Sequence, residues 1–193
     1  MTIKMVLFDC DSVIVDSERT TNLSLLENLA RQGLALSLEE LLSLFVGRAM
    51  KTAGDEARRG GAELPDSWPE DFYPELYDRL GKEVKVIHGV PEVLNALDQA
   101  GFPYAVCSNG RIRKMKAMLT RIGLWDRLKD HLYSAQEMNV PKPAPDVYLK
   151  AAADYGCTQQ DCVVIDDSVT GLRVANAVGA CSFGYSRIAS AAN

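Results

Sequence analysis

Ile3-Lys4-Met5-Val6-Leu7-Phe8-Asp9-Cys10-Asp11-Ser12-Val13 joins a short, β-rich apolar run to two acids one residue apart. A run of this kind reads as a buried strand that delivers a carboxylate to its carboxyl end. Alone the pattern is common. It gains weight from three later segments, Ser108-Asn109-Gly110, Lys142-Pro143 and Asp166-Asp167-Ser168. Ser108 follows an apolar run over 104–107, and Asp166 follows Cys162-Val163-Val164-Ile165.

Between these segments the chain alternates helical and strand-like stretches. The pattern predicts helices over 90–100, with Pro91 early and Gly101 as stop; over 112–122, stopped by Gly123; over 145–155, followed by Gly156; and over 172–178, closed by Gly179. A short strand is expected at Leu132-Tyr133-Ser134. Such alternation implies a mainly parallel sheet covered on both faces, an α/β fold with a three-layer αβα Rossmann-like core.

One region breaks the alternation. Over 17–82 leucines recur at helical spacing and no clear strand-like run appears. Leu23, Leu25, Leu26 and Leu29 suit one amphipathic helix, and Leu38, Leu41, Leu42 and Phe45 a second. Ser37-Leu38-Glu39-Glu40 has the spacing of a capping box at the second helix's start. Gly60-Gly61 and Pro65 break the pattern before a further helical stretch over 69–80. The expected organisation is an α/β core made of 1–16 and 83–193, with 17–82 as an inserted helical domain.

Bulk properties narrow the functional classes. A net charge of −5 and no long basic run argue against nucleic acid as partner. No stretch approaches the roughly 20 apolar residues of a membrane span, so no membrane partner is expected. The N-terminus lacks the features of a signal peptide. The five cysteines show no CxxC spacing, which points to reduced thiols and a cytoplasmic location.

In open parallel sheets ligands bind beyond the carboxyl ends of the strands. Asp9, Ser108 and Asp166-Asp167 all lie just past strand ends, so folding can gather them on one rim. Each pair of carboxylates about 4 Å apart costs roughly 4 kcal/mol at an effective dielectric near 20. A cation is therefore required, and hard oxygen donors favour Mg²⁺. Lys142 supplies a compact positive charge, Ser108 a hydroxyl, and the amides after it an anion-binding turn. Metal, lysine, hydroxyl and amides together describe a phosphoryl site. Asp9-Cys10-Asp11-Ser12-Val13, Ser108-Asn109-Gly110, Lys142-Pro143-Ala144-Pro145-Asp146 and Ile165-Asp166-Asp167-Ser168 with Gly171 together resemble the motifs of the haloacid dehalogenase (HAD) superfamily, in the group with an α-helical cap.

The resemblance spans the chain from Ile3 to about Gly184, which is similar to β-phosphoglucomutase-like and sugar-phosphate phosphatases. It implies a hydrolase, a Mg²⁺-dependent phosphatase acting on a small phosphorylated metabolite through an aspartyl-phosphate. Asp9 would be the nucleophile and Asp11 the general acid/base. Ser108, Asn109 and Lys142 would bind the phosphoryl group, with Ser108 and Lys142 sharing in catalysis. Asp9, Asp11 (through its carbonyl), Asp166 and Asp167 would form the metal-binding set. The cap would close over the site, and the chain would act as a monomer or weak homodimer.

Asp11 favours phosphate esters over dehalogenation, because dehalogenating relatives lack that second acid. A β-phosphoglucomutase-like phosphomutase is the alternative. Such relatives carry histidine where Thr21 stands here, which favours hydrolysis. A catalytically inactive member is the third reading, motivated by Ser12 where close relatives usually have Gly. A phospho-accepting receiver module places its acidic pair before the acceptor Asp, the reverse of the order here. Arg48 and Lys51 read as a solvated helix face, with contact to an anionic substrate as the lesser expectation. His88 and His131 read as structural or solvated.

Overall fold

The computed structural model describes residues 2–45 and 50–186. Arg48 therefore lies outside the described residues. The described chain divides into two compact units, one of residues 1–16 and 85–193 and one of residues 17–84.

The first unit is built on a five-stranded sheet in which every pairing is parallel. Its strands are β1 (Met5–Phe8), β4 (Tyr104–Ser108), β5 (Leu132–Ser134), β6 (Cys162–Asp166) and β7 (Cys181–Gly184), in the spatial order β5-β4-β1-β6-β7. Phe8 pairs in register with Val106 on one side and Ile165 on the other. Ser108 aligns with Ser134, and Asp166 with Gly184. The strand order reverses around β1, so the chain diverges at its carboxyl end. That is the place where open parallel sheets bind ligands.

Alternation along each strand feeds two cores. Met5, Leu7, Ala105, Cys107 and Val164 pack with Val147, Tyr148, Ala151 and Ala152 of α8 (Asp146–Asp154) and with Val174 and Ala175 of α9 (Val169–Ala177). The alternate residues Val6, Phe8, Tyr104 and Val106 are also buried, as are Leu94 of α5 (Val90–Gln99) and Met115, Met118 and Leu119 of α6 (Ile112–Arg121). Gly101 and Gly123, the expected stops of α5 and α6, adopt left-handed φ of 61° and 73°, which glycine reaches without a Cβ penalty. A four-residue helix, α7 (Trp125–Leu128), precedes β5. The parallel α/β architecture expected from the alternation is the one observed.

Two strands of two residues each have no counterpart in the sequence reading. β2 (Val15–Asp16) and β3 (Lys85–Val86) pair antiparallel, and Ile87 N–H donates to Ile14 C=O at 2.9 Å. The chain thus leaves the first unit and returns to it at adjacent points, and the 68 intervening residues form the second unit.

The second unit contains α1 (Glu18–Arg31), α2 (Leu38–Phe45), α3 (Met50–Arg59) and α4 (Phe72–Glu83). The capping box forms as its spacing requires. Ser37 N–H donates to Glu40 Oε2 at 2.8 Å, and Glu40 N–H donates to Ser37 Oγ at 3.2 Å. Helix α3 escaped the leucine pattern because it packs through small residues, Ala53, Gly54 and Ala57. A Cβ on Gly54 would overlap the Trp68 ring, under 3.0 Å from its edge. Trp68 stacks on Phe72 and donates its indole N–H to Asn28 Oδ1 at 3.1 Å. α4 begins at Phe72, later than the expected residue 69, because turns occupy residues 66–71. Lys51 is exposed on α3. No helix among the described residues is long and apolar enough to cross a membrane.

Candidate active site

The first acid emerges from the centre of the sheet. Asp9 follows β1, and its N–H donates to Ile165 C=O at 2.8 Å, which holds it level with the end of β6. Its side chain is nearly buried. Lys142 Nζ donates to Asp9 Oδ1 at 2.8 Å and to Asp166 Oδ2 at 2.8 Å. One buried ammonium, with side-chain exposure of 4%, thereby ties the acids of two separate strands together. Asp9 Oδ2 accepts no hydrogen bond among the described residues.

These contacts do not balance the charge on Asp9. Burial pushes its carboxyl up to about 7, Lys142 opposes the rise, and Asp166 and Asp11 add to it. Asp166 behaves differently. Burial raises it, but Lys142 and Ser168 outweigh burial and hold it below the usual carboxylate range. Lys142 rises well above its ordinary value, because Asp9, Tyr148 and Asp166 outweigh burial.

Asp166 is fully engaged within the protein. Besides Lys142, its Oδ2 accepts from Tyr148 Oη at 2.9 Å, and its Oδ1 accepts from Ser168 N–H at 2.9 Å and Ser168 Oγ at 2.7 Å. Ser168 also caps α9, its Oγ accepting from Gly171 N–H at 3.0 Å. A Cβ at Gly171 would fall under 3.0 Å from both Asp166 oxygens, so only glycine lets this turn close on the carboxylate. Tyr148 was not singled out from the sequence. It is buried on α8, and the Lys142 ammonium lies 4.9 Å from its ring centroid, within cation–π range. The neighbouring Asp167 is exposed.

Ser108 ends β4 and is 1% exposed. Its Oγ accepts from Gly110 N–H at 2.9 Å, and its hydroxyl proton is not donated to any described residue. Ser134 Oγ donates to Gly110 C=O at 2.8 Å, and Glu137 accepts from Ile112 N–H at 2.8 Å, pinning the turn into α6. Asn109, expected to touch substrate, grips the lysine's loop. Lys142 N–H donates to Asn109 Oδ1 at 2.8 Å, and Asn109 Nδ2 donates to Lys142 C=O at 3.4 Å. The Lys142–Pro143 peptide is cis.

Asp11 is half-buried and receives Lys114 Nζ at 2.7 Å on Oδ1. Lys114 lies on α6, the helix expected over 112–122, and was not singled out from the sequence. Ser12, standing where close relatives of the resembled family usually have Gly, takes a left-handed φ of 56° while its N–H donates to Val15 C=O at 2.8 Å. Cys10 is fully buried, and His88 is exposed.

The chain matches the haloacid dehalogenase-like hydrolase family over residues 3–179. It belongs to that family. Among its haloacid dehalogenase-like relatives, 6-phosphogluconate phosphatase of Escherichia coli (strain K12) is 29% identical over 171 residues, covering 88% of this chain and 76% of that protein. The solved structure of a conserved haloacid dehalogenase-like protein from Agrobacterium tumefaciens superposes with a TM-score of 0.80 at 32% identity, covering 94% of this chain and 82% of that one. A HAD family hydrolase from Deinococcus radiodurans, solved with bound phosphate and sodium, superposes at 0.77 with 32% identity, covering 94% and 80%.

The donor chemistry fits a hard divalent cation. Asp9, Asp11, Asp166 and Asp167 outnumber Lys114 and Lys142, and Asp9 stays raised despite its lysine. Among the described residues no three His, Cys, Asp or Glu side chains stand together as a metal cage. Mg²⁺ does not need one, since it is usually held by one or two carboxylates completed by water and phosphate oxygens.

Proposed function

We propose that this chain is a cytoplasmic, Mg²⁺-dependent phosphatase that hydrolyses a small phosphate monoester of the sugar-phosphate kind. The observation that carries the reading is Lys142 bridging Asp9 and Asp166. It joins a candidate nucleophile to a positive charge at the diverging strand ends, and Ser108 at the end of the neighbouring strand β4 offers a hydroxyl. The relative named 6-phosphogluconate phosphatase supports the substrate class. The fold alone does not, because one fold hosts many chemistries.

In this reading the Asp9 carboxylate attacks phosphorus, and the phosphorus–oxygen bond to the leaving group breaks. Asp11 gives its proton to the departing oxygen. The resulting aspartyl-phosphate is then attacked by water at phosphorus. Asp11 takes the water's proton, and Asp9 leaves as a carboxylate. Ser108 Oγ–H and the Lys142 ammonium stabilise the charge on the transferring oxygens, where positioning and electrostatics supply most of the catalysis. Asp9, Asp167 and the Asp11 carbonyl would hold Mg²⁺, which supplies charge neutralisation for the acids and the phosphoryl group. Asp166, with both oxygens committed, holds Lys142 in place, and Asn109 holds the lysine's backbone.

Phosphate release from a panel of sugar phosphates, a phosphorylated sugar acid and an aryl phosphate, with Mg²⁺ and with chelator, tests the reading. Metal-dependent release that disappears in Asp9→Asn is expected. Isomerised sugar phosphate with little free phosphate would replace it with a mutase, and binding without turnover with an inactive member.

A further inference from the structure

Lys114 is not one of the residues that the four sequence segments account for. Its α6 anchor is firm. Met115, Met118 and Leu119 beside it are fully buried, and the helix start is tied down by Glu137 at Ile112 N–H and by Ser134 at Gly110 C=O. From this support Nζ reaches Asp11 Oδ1 at 2.7 Å and makes no other hydrogen bond among the described residues. Burial works against the ammonium, but Asp11 outweighs it and raises the Lys114 pKa, so the charge is retained.

The other carboxylate oxygen of Asp11 lies near Gly110. A Cβ built on Gly110 would lie 3.3 Å from Ser108 Oγ and 3.7 Å from Asp11 Oδ2. The two oxygens therefore border one small space that glycine leaves open. Lys114 grips one oxygen of Asp11, while the other borders the space at Gly110 that Ser108 Oγ also borders.

We propose that Lys114 is a positioning residue that holds Asp11 in the rotamer from which it exchanges a proton with the leaving oxygen. The assignment rests on the phosphatase reading of Asp11. Without Lys114 the Asp11 side chain loses this anchor on Oδ1, and the proton is delivered less often. The effect is largest for esters whose leaving oxygen needs that proton.

The test compares wild type, Lys114→Met and Lys114→Arg as full-length chains with Mg²⁺, on a turned-over sugar phosphate and on an activated aryl phosphate. General acid–base catalysis contributes about 10²–10⁴-fold, so Lys114→Met is expected to lose at least about 10-fold in kcat on the sugar phosphate. KM is expected to stay within about twofold, and the aryl phosphate to lose no more than about threefold. Lys114→Arg, which keeps the cation, restores most of the rate. Thermal melting with chelator shows whether each variant is folded, and Lys114→Gln takes the place of Lys114→Met if the latter is not. Equal losses on both esters, a raised KM at unchanged kcat, or no loss at all would overturn the assignment. A folded wild type that turns over neither ester overturns the phosphatase reading itself. Wild-type turnover with an indifferent Lys114→Met overturns only the role of Lys114.

Discussion

Replacing Asp9 by Asn removes a charge that the fold holds at a cost. The Asp9 carboxyl rises from an ordinary 3.8 to about 7 because burial and the neighbouring Asp166 and Asp11 outweigh Lys142. Between those two values the folded chain binds a proton that the unfolded chain has released. Stability contributed by this group is therefore lost as pH rises from about 4 to above 7, opposite to the usual behaviour of a salt-bridged Asp. A gap of about 3 pH units at about 1.4 kcal/mol each amounts to about 4 kcal/mol above pH 7. Asparagine resembles the protonated acid and can still accept from Lys142. In chelator, Asp9→Asn is expected to melt roughly 8–16 °C above wild type near pH 8, with the gap closing toward pH 4. Differential scanning calorimetry across pH measures it. Mg²⁺ should raise wild type toward the variant, because the cation supplies the charge that Asp9 lacks. A gap independent of pH, or a wild type more stable near pH 8, would refute the electrostatic reasoning.

Other outcomes follow from individual contacts. Ser12 sits at a φ that costs an L-residue of order 1 kcal/mol. Ser12→Gly should thus be neutral or stabilising by up to about 1 kcal/mol in denaturant melts, and Ser12→Val destabilising by roughly 1–2 kcal/mol; the reverse order would contradict the strained backbone. Gly171→Ala drives a methyl group into the Asp166 carboxylate and is expected to cost about 1–3 kcal/mol by thermal melting and to lower kcat with it. A fully active Gly171→Ala would show that Asp166 does not govern Lys142. Tyr148→Phe removes a hydrogen bond to an ionised carboxylate and should cost about 1.5–3 kcal/mol in urea unfolding; an unchanged midpoint would mean that Lys142 and Ser168 alone satisfy Asp166.

The parallel sheet was legible because β1, β4 and β6 are short apolar runs that end in chemically distinct residues, and because proline and glycine punctuate the intervening helices. The four segments could be read as one rim for the same reason, since each sits at a strand end or on a short loop. What stayed hidden depends on packing between distant residues. β2 and β3 are too short to show a period, and each exists only because the other is there. Helix α3 buries alanine and glycine against Trp68, so a search for leucine spacing passes over it. Tyr148 and Lys114 look like ordinary helix residues until α8 and α6 carry them to Asp166 and Asp11. Asn109 shows the opposite limit. The sequence marked its position, while the structure joins it to the backbone of Lys142, a partner 33 residues away.

Rapid acid quenching during turnover of a sugar phosphate, followed by mass mapping of the peptide that contains Asp9, tests the central claim most directly. The account predicts a phosphoryl group on Asp9 that builds within the first turnover and is absent from Asp9→Asn, which releases no phosphate. A phosphoryl group on another residue, or wild-type turnover by Asp9→Asn, would contradict it.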